Sequence, residues 1–338
     1  MGPFDILSAL PEKFKVAQQS GELLFFPSET HGYHDEDTGV EFQVRLCTVL
    51  QKKPVEPTDL LPKEERADIT SVPKDPFEPP YVPQLHVGDL YLEDTDYGTK
   101  SEYVVLLNKF SVVPHHFLLV TKEFRPQSSP LLPEELVQTY LLLLAARQAN
   151  THYIAFYNCG KNSGASQPHK HIQFIEVGSD GPPVERLAKK ATLEVAGKPF
   201  AISSLPYANH VFRLPPLSFN STPVELNQAL FPPFLSLLDL VISTVRHDPN
   251  YPTGFPSYNV IFTLEHIHMI PRRHEAYTIE KTQERIDINS LGFAGMLLAK
   301  SEAELESIKE EGIGKILRGV GLESVHELQV AGTALEVP

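Results

Sequence analysis

Two hydrophobic periods organise the chain. Phe42, Val44 and Leu46 alternate with Gln43, Arg45 and Cys47, the period of two that marks a strand with one buried face. Residues 103–107 and 117–120 are apolar runs that read as paired strands, joined through Asn108-Lys109-Phe110 to His115-His116. Pro133 suits the first turn of a helix that holds Glu134 and Glu135 at its positive end and extends to Ala149. Residues 153–157 form a short strand. Later, Leu235, Leu238, Val241, Ile242 and Val245 recur at helical spacing over residues 234–246, after a proline-rich connection. Strands are predicted at 258–262 and 267–270, and a helix from Ser301, with Glu302 and Glu304 in its first turn, to a stop at Gly312. Strands followed by helices in each half, without a βαβ rhythm, predict an α+β fold with a mainly antiparallel sheet.

Tyr103-Val-Val-Leu-Leu … Val-Val-Pro114-His115-His116 parallels Tyr258-Asn-Val-Ile-Phe … Met-Ile-Pro271-Arg272-Arg273. Either the chain holds two degenerate halves, or two unrelated apolar hairpins look alike. Eight of the 30 prolines cluster between Pro54 and Pro83 among charged residues, which predicts an extended insertion or cover loop rather than a helix.

Composition narrows the function classes. Hydrophobic residues at 41% and charged residues at 21% are globular usage, so wholesale disorder is excluded. A net charge of −14 disfavours a general nucleic-acid or anionic-membrane binder. The two cysteines, Cys47 and Cys159, form neither a disulfide framework nor a CxxC pair, which fits a reducing, cytoplasmic setting, with the nucleus also open. No leader pattern is read over Met1 to Phe14, and the apolar run 140–146 is far short of the roughly 20 residues that span a bilayer, so a soluble protein is expected. Neither GxGxxG nor GxxxxGK[ST] occurs.

The chemistry concentrates in Asn158-Cys-Gly-Lys-Asn-Ser-Gly-Ala-Ser-Gln-Pro-His169-Lys-His171-Ile-Gln173. A strand enters, a small-residue loop follows and a second strand leaves. Alternation along that strand would put His169, His171 and Gln173 on one face and Lys170, Ile172 and Phe174 on the other. The loop 160–166 is built of residues small enough for its N–H groups to approach an anion. A neutral imidazole there can attack phosphorus directly, with its other nitrogen hydrogen-bonded to fix the tautomer. Gln173 could donate its amide to a phosphate oxygen. A bare His-x-His alone also reads as a half-exposed pair or a metal chelate; the loop and Gln173 are what favour chemistry.

Residues 162–173 resemble the active-site signature of the diadenosine tetraphosphate phosphorylases, or ATP adenylyltransferases, of the histidine-triad superfamily, fungal type. Phe42-Gln-Val-Arg-Leu-Cys with Lys53-Pro54, Leu107-Asn-Lys-Phe, Phe117-Leu-Leu-Val-Thr-Lys-Glu-Phe and Tyr258-Asn-Val … Met269-Ile-Pro-Arg extend the likeness over most of the chain. The resemblance implies a histidine-triad, hexose-1-phosphate uridylyltransferase-like fold, with an N-terminal half at 1–185 and a C-terminal half at 200–338 forming one compact unit. It makes His171 the nucleophile carrying a covalent adenylyl group, with His169 and Gln173 beside it. It assigns nucleotide binding to Lys53, Asn158, Gly164, Ala165, Ser166 and Gln167, and in the second half to Asn259, Thr263, Met269 and Arg273. The implied reaction is reversible cleavage of diadenosine tetraphosphate by phosphate into ADP and ATP, by a monomer. It uses a divalent cation, Mg²⁺ being the expected one, held by the substrate phosphates and not by a dedicated protein cage. Because the protein is acidic, cations must gather locally, and Lys53, Lys109, Lys161 and Arg273 are candidates. The sequence departs from the family at Leu264, where a lysine is usual.

His266-x-His268 repeats the spacing but lacks the glycine loop and the glutamine, which favours a structural or rim role. His115-His116 reads as turn residues, and His31 and His34 as part of a polar hairpin loop. Two rival functions remain: a hexose-1-phosphate uridylyltransferase-like enzyme, disfavoured by Lys170 between the histidines and by the lack of CxxC, and a nucleotide- or metal-binding regulator without transfer activity.

Overall fold

The computed structural model describes residues 1–52, 75–94, 99–193 and 195–324, so Lys53 and half of the proline cluster, Pro54, Pro57, Pro62 and Pro73, lie outside the described residues. Helix α1 (Pro3–Gln19) turns Ile6, Leu7, Leu10, Phe14 and Ala17 inward at three- and four-residue spacing. After the short strand β1 (Leu24–Phe25), β2 (Glu29–Asp35) and β3 (Val40–Leu46) form a hairpin, with Val40, Phe42, Val44 and Leu46 buried as their alternation predicts. Strands β4 (His86–Asp94), β5 (Thr99–Leu107), β6 (Phe110–Ser111) and β7 (Phe117–Thr121) lead to helix α2 (Pro133–Gln148), where Pro133 does occupy the first turn. The chain continues through β8 (Tyr153–Cys159), β9 (His171–Glu176), α3 (Pro183–Lys190) and β10 (His210–Arg213). Helix α4 (Pro223–Arg246) and strands β11 (Ser257–Phe262) and β12 (His266–Arg272) follow. The last elements are β13 (Ala276–Thr278), β14 (Arg285–Asp287), α5 (Ser290–Phe293), β15 (Met296–Ala299), α6 (Glu302–Glu311) and α7 (Ile313–Val320).

Eight strands make one antiparallel sheet in the order β10-β12-β11-β8-β9-β7-β5-β4. The α+β reading and its mainly antiparallel sheet therefore hold. Helices α1, α2 and α4 cover one face, burying Phe117, Ala155, Tyr157, Ile172, Phe174, Val260, Ile267 and Met269. On the other face, Phe156, Ile175, Val211, Ile261 and Ile270 pack under the small sheet β15-β3-β2 with α3, α6 and α7. A separate apolar cluster on that side, Val104, Leu106, Leu118 and Val120, packs against Phe77. Between these two clusters lies a polar gap, and the functional residues line it.

The sheet order shows an internal repeat, though not between the two hairpins the sequence pairs. The run β7-α2-β8-β9 lies in the spatial order β7-β9-β8, and β10-α4-β11-β12 in the matching order β10-β12-β11, with β8 against β11 at the centre. The alignment of 103–107 with 258–262 compared apolar pattern only, and strand neighbours decide the repeat unit.

Helix α4 also departs from expectation, because it starts eleven residues before Phe234 and runs through Pro232 and Pro233. Thr222 caps its start, the hydroxyl oxygen accepting from the Glu225 N–H at 3.2 Å. Its buried stripe is Leu226, Leu230, Phe234, Leu237 and Val241, which leaves Leu235 exposed. Burial along that stripe outweighs the hydrogen bonds two interior prolines remove. Among the described residues α4 is the one helix long and apolar enough to cross a bilayer; the stripe packs into the core.

Candidate active site

The loop between β8 and β9 is held at its neck by Gln127. Its Oε1 accepts from the His171 N–H at 2.8 Å, and its Nε2 donates to the carbonyls of Asn158 at 2.9 Å and His171 at 3.2 Å. One amide thus pins the end of β8 to the start of β9. Gly160 and Gly164 take φ of +90° and +79°. A Cβ on Gly164 would stand 2.5 Å from the Ile288 carbonyl oxygen, so both conformation and space demand glycine there. The N–H groups of Gly164, Ala165, Ser166 and Gln167 donate to none of the described residues. Four unengaged donors in succession form a concavity suited to phosphate oxygens.

His171 opens β9 on the face away from the helices, with the Phe77 ring centred 5.2 Å from its own. Its Nδ1–H donates to the His169 carbonyl at 2.8 Å, leaving the lone pair on Nε2, which has no hydrogen-bond partner among the described residues. Burial pushes its pKa down to about 4, so the ring is neutral near pH 7. Gln173 follows two residues on, as alternation requires. His169 differs from expectation: β9 begins after it, and both its ring nitrogens face acceptors, Nδ1 the Asp75 carboxylate at 2.6 Å and Nε2 the Thr121 carbonyl at 2.7 Å. It braces the strand entrance and hands its own carbonyl to His171. Lys170 turns to the helical side and pairs with Glu135 of α2 at 2.6 Å, both buried.

Asn158 and Asn259 meet across β8 and β11. Asn158 Oδ1 accepts from Asn259 Nδ2 at 2.8 Å, from the Ser290 N–H at 2.9 Å and from the Ser290 hydroxyl at 2.7 Å. Three donors fix the amide's orientation, and its Nδ2 is buried without a partner among the described residues. Beneath them lies Arg272, fully buried, whose Nη1 reaches Ser163 O at 3.1 Å and Asn259 Oδ1, and whose Nη2 reaches the carbonyls of His274, Glu275 and Ile288. Burial lowers its pKa to about 9, which still leaves it charged at pH 7. The guanidinium touches carbonyl and amide oxygens, with the Glu275 carboxylate acting on it electrostatically, and its positive charge sits behind the loop.

The structure brings together His171, Gln173, Asn158, Asn259 and the loop 164–167, and separates other expected residues from them. Met269 lies on the opposite face, in the core under the helices, because it alternates with His268 and Ile270. It is a core residue. Thr263 sits in the β11–β12 turn, where its hydroxyl oxygen accepts from the His266 N–H at 2.8 Å and the Glu265 N–H at 3.1 Å. Arg273 adjoins the loop through its backbone, its carbonyl accepting from Asn162 Nδ2 at 2.8 Å, while its guanidinium pairs with Asp248. Sequence reasoning missed Gln127, Ser290, Arg272 and His116. Of these, only Arg272 carried a signal: an arginine inside an apolar strand needs buried partners.

Three of the four ring nitrogens of the second His-x-His are engaged, and His268 Nδ1 is buried without a partner among the described residues. His266 Nδ1–H donates to Glu185 Oε1 at 2.9 Å and His268 Nε2–H to Glu185 Oε2 at 3.1 Å, while Arg213 Nε donates to His266 Nε2 at 3.1 Å. The donor atoms of Glu185, His266 and His268 lie within 4.8 Å of one another, a spacing a metal could bridge. The Arg213 donor, however, places the His266 proton on the nitrogen that would have to bind it. Burial raises the Glu185 carboxyl, but the two imidazole donors outweigh it and hold it well below the usual carboxylate range.

An imidazole with a free lone pair beside a row of unengaged amide donors is the apparatus of a nucleotidyltransferase. Residues 2–189 match the family model for the Ap4A phosphorylase N-terminal domain, and residues 203–323 that for the ATP adenylyltransferase C-terminal domain. The chain belongs to the Ap4A phosphorylase family. It is 30% identical over 311 residues to diadenosine 5',5'''-P1,P4-tetraphosphate phosphorylase 2 of Saccharomyces cerevisiae, covering 89% of each chain. It is similar to the crystal structures of yeast Ap4A phosphorylase Apa2 in complex with AMP (28% identity, 96% of this chain and 98% of that one, TM-score 0.75) and with Ap4A (27%, 94% and 98%, TM-score 0.72).

Proposed function

We propose that this protein catalyses the reversible phosphorolysis of diadenosine tetraphosphate through a covalent adenylyl group on His171. The Nε2 lone pair attacks the α-phosphorus of one adenosine; a P–N bond forms, the bridging P–O bond breaks and ATP leaves. A phosphate oxygen then attacks the same phosphorus, forms ADP and returns the electron pair to Nε2. As the P–N bond forms the ring becomes cationic, and its Nδ1–H is already directed at the His169 carbonyl. The observation that carries the reading is this lone pair beside the four unengaged N–H groups of residues 164–167.

Loop donors, the Gln173 amide and Asn158 Nδ2 take the phosphate oxygens, and Arg272 supplies the opposing charge. Lys53, expected on the phosphate chain, lies outside the described residues. Residues 160–170 contain no carboxylate, and Asp75 beside them is engaged by His169, a donor set that fits a divalent cation carried by the phosphates. Such a cation would neutralise charge on the polyphosphate.

Intact-mass measurement after exposure to diadenosine tetraphosphate without phosphate tests the reading. One adenylyl group is expected on the wild type, none on His171→Ala, and phosphate should discharge it as ADP. Labelling of His171→Ala equal to wild type would refute the assignment, and uridylyl transfer from a UDP-sugar in place of adenylyl transfer would favour the uridylyltransferase rival.

A further inference from the structure

Gln173 has a side-chain amide whose two ends differ only in charge, and a phosphate oxygen is attracted to one and repelled by the other. Its orientation is therefore a chemical variable, and a hydrogen-bond chain running back to the main chain sets it. The Phe110 N–H donates to Asn108 Oδ1 at 3.2 Å, which points the Asn108 amide nitrogen the other way. That nitrogen lies 3.0 Å from His116 Nδ1 and 3.4 Å from Nε2, and donates to the nearer, Nδ1. An imidazole that accepts at Nδ1 carries its proton on Nε2, and His116 Nε2 lies 3.1 Å from Gln173 Oε1. The backbone donor at one end fixes the polarity of every link. Gln173 is left with its NH₂ turned toward the gap, where it has no partner among the described residues.

The surroundings keep this state. His116 is buried, and burial lowers its pKa to about 4 although the Gln173 bond opposes that, so the ring stays neutral at working pH. His115 sits at φ 56°, the left-handed region that a non-glycine residue rarely adopts. That turn sends the two neighbouring imidazoles to opposite sides: His115 against Phe14 on the helical side, His116 toward Phe156 and Gln173.

Resting on the proposed adenylyl transfer, we propose that His116, oriented by Asn108, is a positioning residue that holds the Gln173 amide with its nitrogen facing the phosphate being transferred. Its contribution then appears in kcat, because the amide donor matters most where negative charge builds in the transition state.

The test compares H116A, H116Q, Q173A and the double variant H116A/Q173A in steady-state phosphorolysis of diadenosine tetraphosphate, with melting temperatures recorded. H116A should lower kcat about 10- to 100-fold with KM altered less than about threefold. H116Q should recover most of the loss, since its amide N–H can reach the same oxygen. The double variant should be no slower than Q173A. If H116A fails to fold, N108A, which removes the donor to Nδ1 together with the acceptor of the Phe110 N–H, should lower kcat about three- to tenfold. Wild-type kcat in H116A, multiplied losses in the double variant, or a kcat that tracks melting temperature without rescue by H116Q would each overturn the proposal. Wild-type kcat in Q173A overturns it while leaving adenylyl transfer intact; persistence of adenylylation in H171A instead brings down the function beneath it.

Discussion

His169-Lys170-His171 and His266-Ile267-His268 stand at the same topological place, the start of the last strand in each copy of the repeated unit. Because β8 and β11 meet antiparallel, those places fall at opposite ends of the sheet. Eleven residues separate Cys159 from His171, and three separate Phe262 from His266. The longer connection has room for two left-handed glycines and a row of free N–H groups, whereas the shorter one is closed by the Thr263 hydroxyl. At the first motif the unengaged Nε2 of His171 follows a loop of free N–H groups; at the second, Glu185 and Arg213 hold three of the four ring nitrogens, and the fourth, His268 Nδ1, is buried with no such loop before it. Spacing of histidines says little about chemistry, and the connection that precedes the ring with the free nitrogen says much.

The largest effect should separate the two motifs outright. His171→Ala is expected to lower phosphorolysis by roughly 10⁴-fold or more, as loss of a nucleophile does, while His268→Ala keeps the rate within about twofold and lowers stability by about 1–3 kcal/mol as Glu185 loses a donor. Parallel kinetics and urea unfolding decide it, and equal kinetic losses would dissolve the contrast. Next comes the residue between the histidines: Lys170→Ala strands the buried Glu135 carboxylate and should cost about 3–5 kcal/mol. Burial raises the Glu135 carboxyl, with Lys170 opposing it, so removing the lysine should convert that group to a proton acceptor, visible as a steeper pH dependence of unfolding.

Acid should weaken the first motif through its neutral rings. His171 and His116 are both lowered to about 4 by burial, whereas the unfolded chain takes up protons near the ordinary value of about 6.5. Their stabilisation is therefore complete above about pH 6.5 and lost as the pH falls toward 4, by up to about 3 kcal/mol per ring. Melting temperature followed from pH 8 to 4 should show this slope, flattened by one ring's share in His171→Ala. The smallest change is Gly164→Ala, where the left-handed backbone and the close Ile288 carbonyl predict a loss of about 1–3 kcal/mol and a raised KM.

Strand alternation made much of this legible: Gln173 falls beside His171, and Ile172 and Phe174 on the helical side, as period two requires. The same rule, carried to β12, excludes Met269 from the site, a test that a family-level match in sequence does not apply. His169 eluded it because the strand starts two residues later. His116 looked like turn punctuation since nothing local shows that Gln173, 57 residues on, accepts its proton. Gln127 acts through main-chain groups of distant segments, and Ser290 and Arg272 hold the amide oxygens of Asn158 and Asn259, pairings that sequence proximity does not reveal.

The Arg272 guanidinium gathers oxygens from the β8–β9 loop, from β11, from the turn after β12 and from the residue after β14. No one of these segments can loosen while the others keep their grip on it. Amide hydrogens around Ser163, Asn259, Glu275 and Ile288 should then exchange with deuterium at one shared rate, opening as a single cooperative unit, and Arg272→Met should split that rate into several.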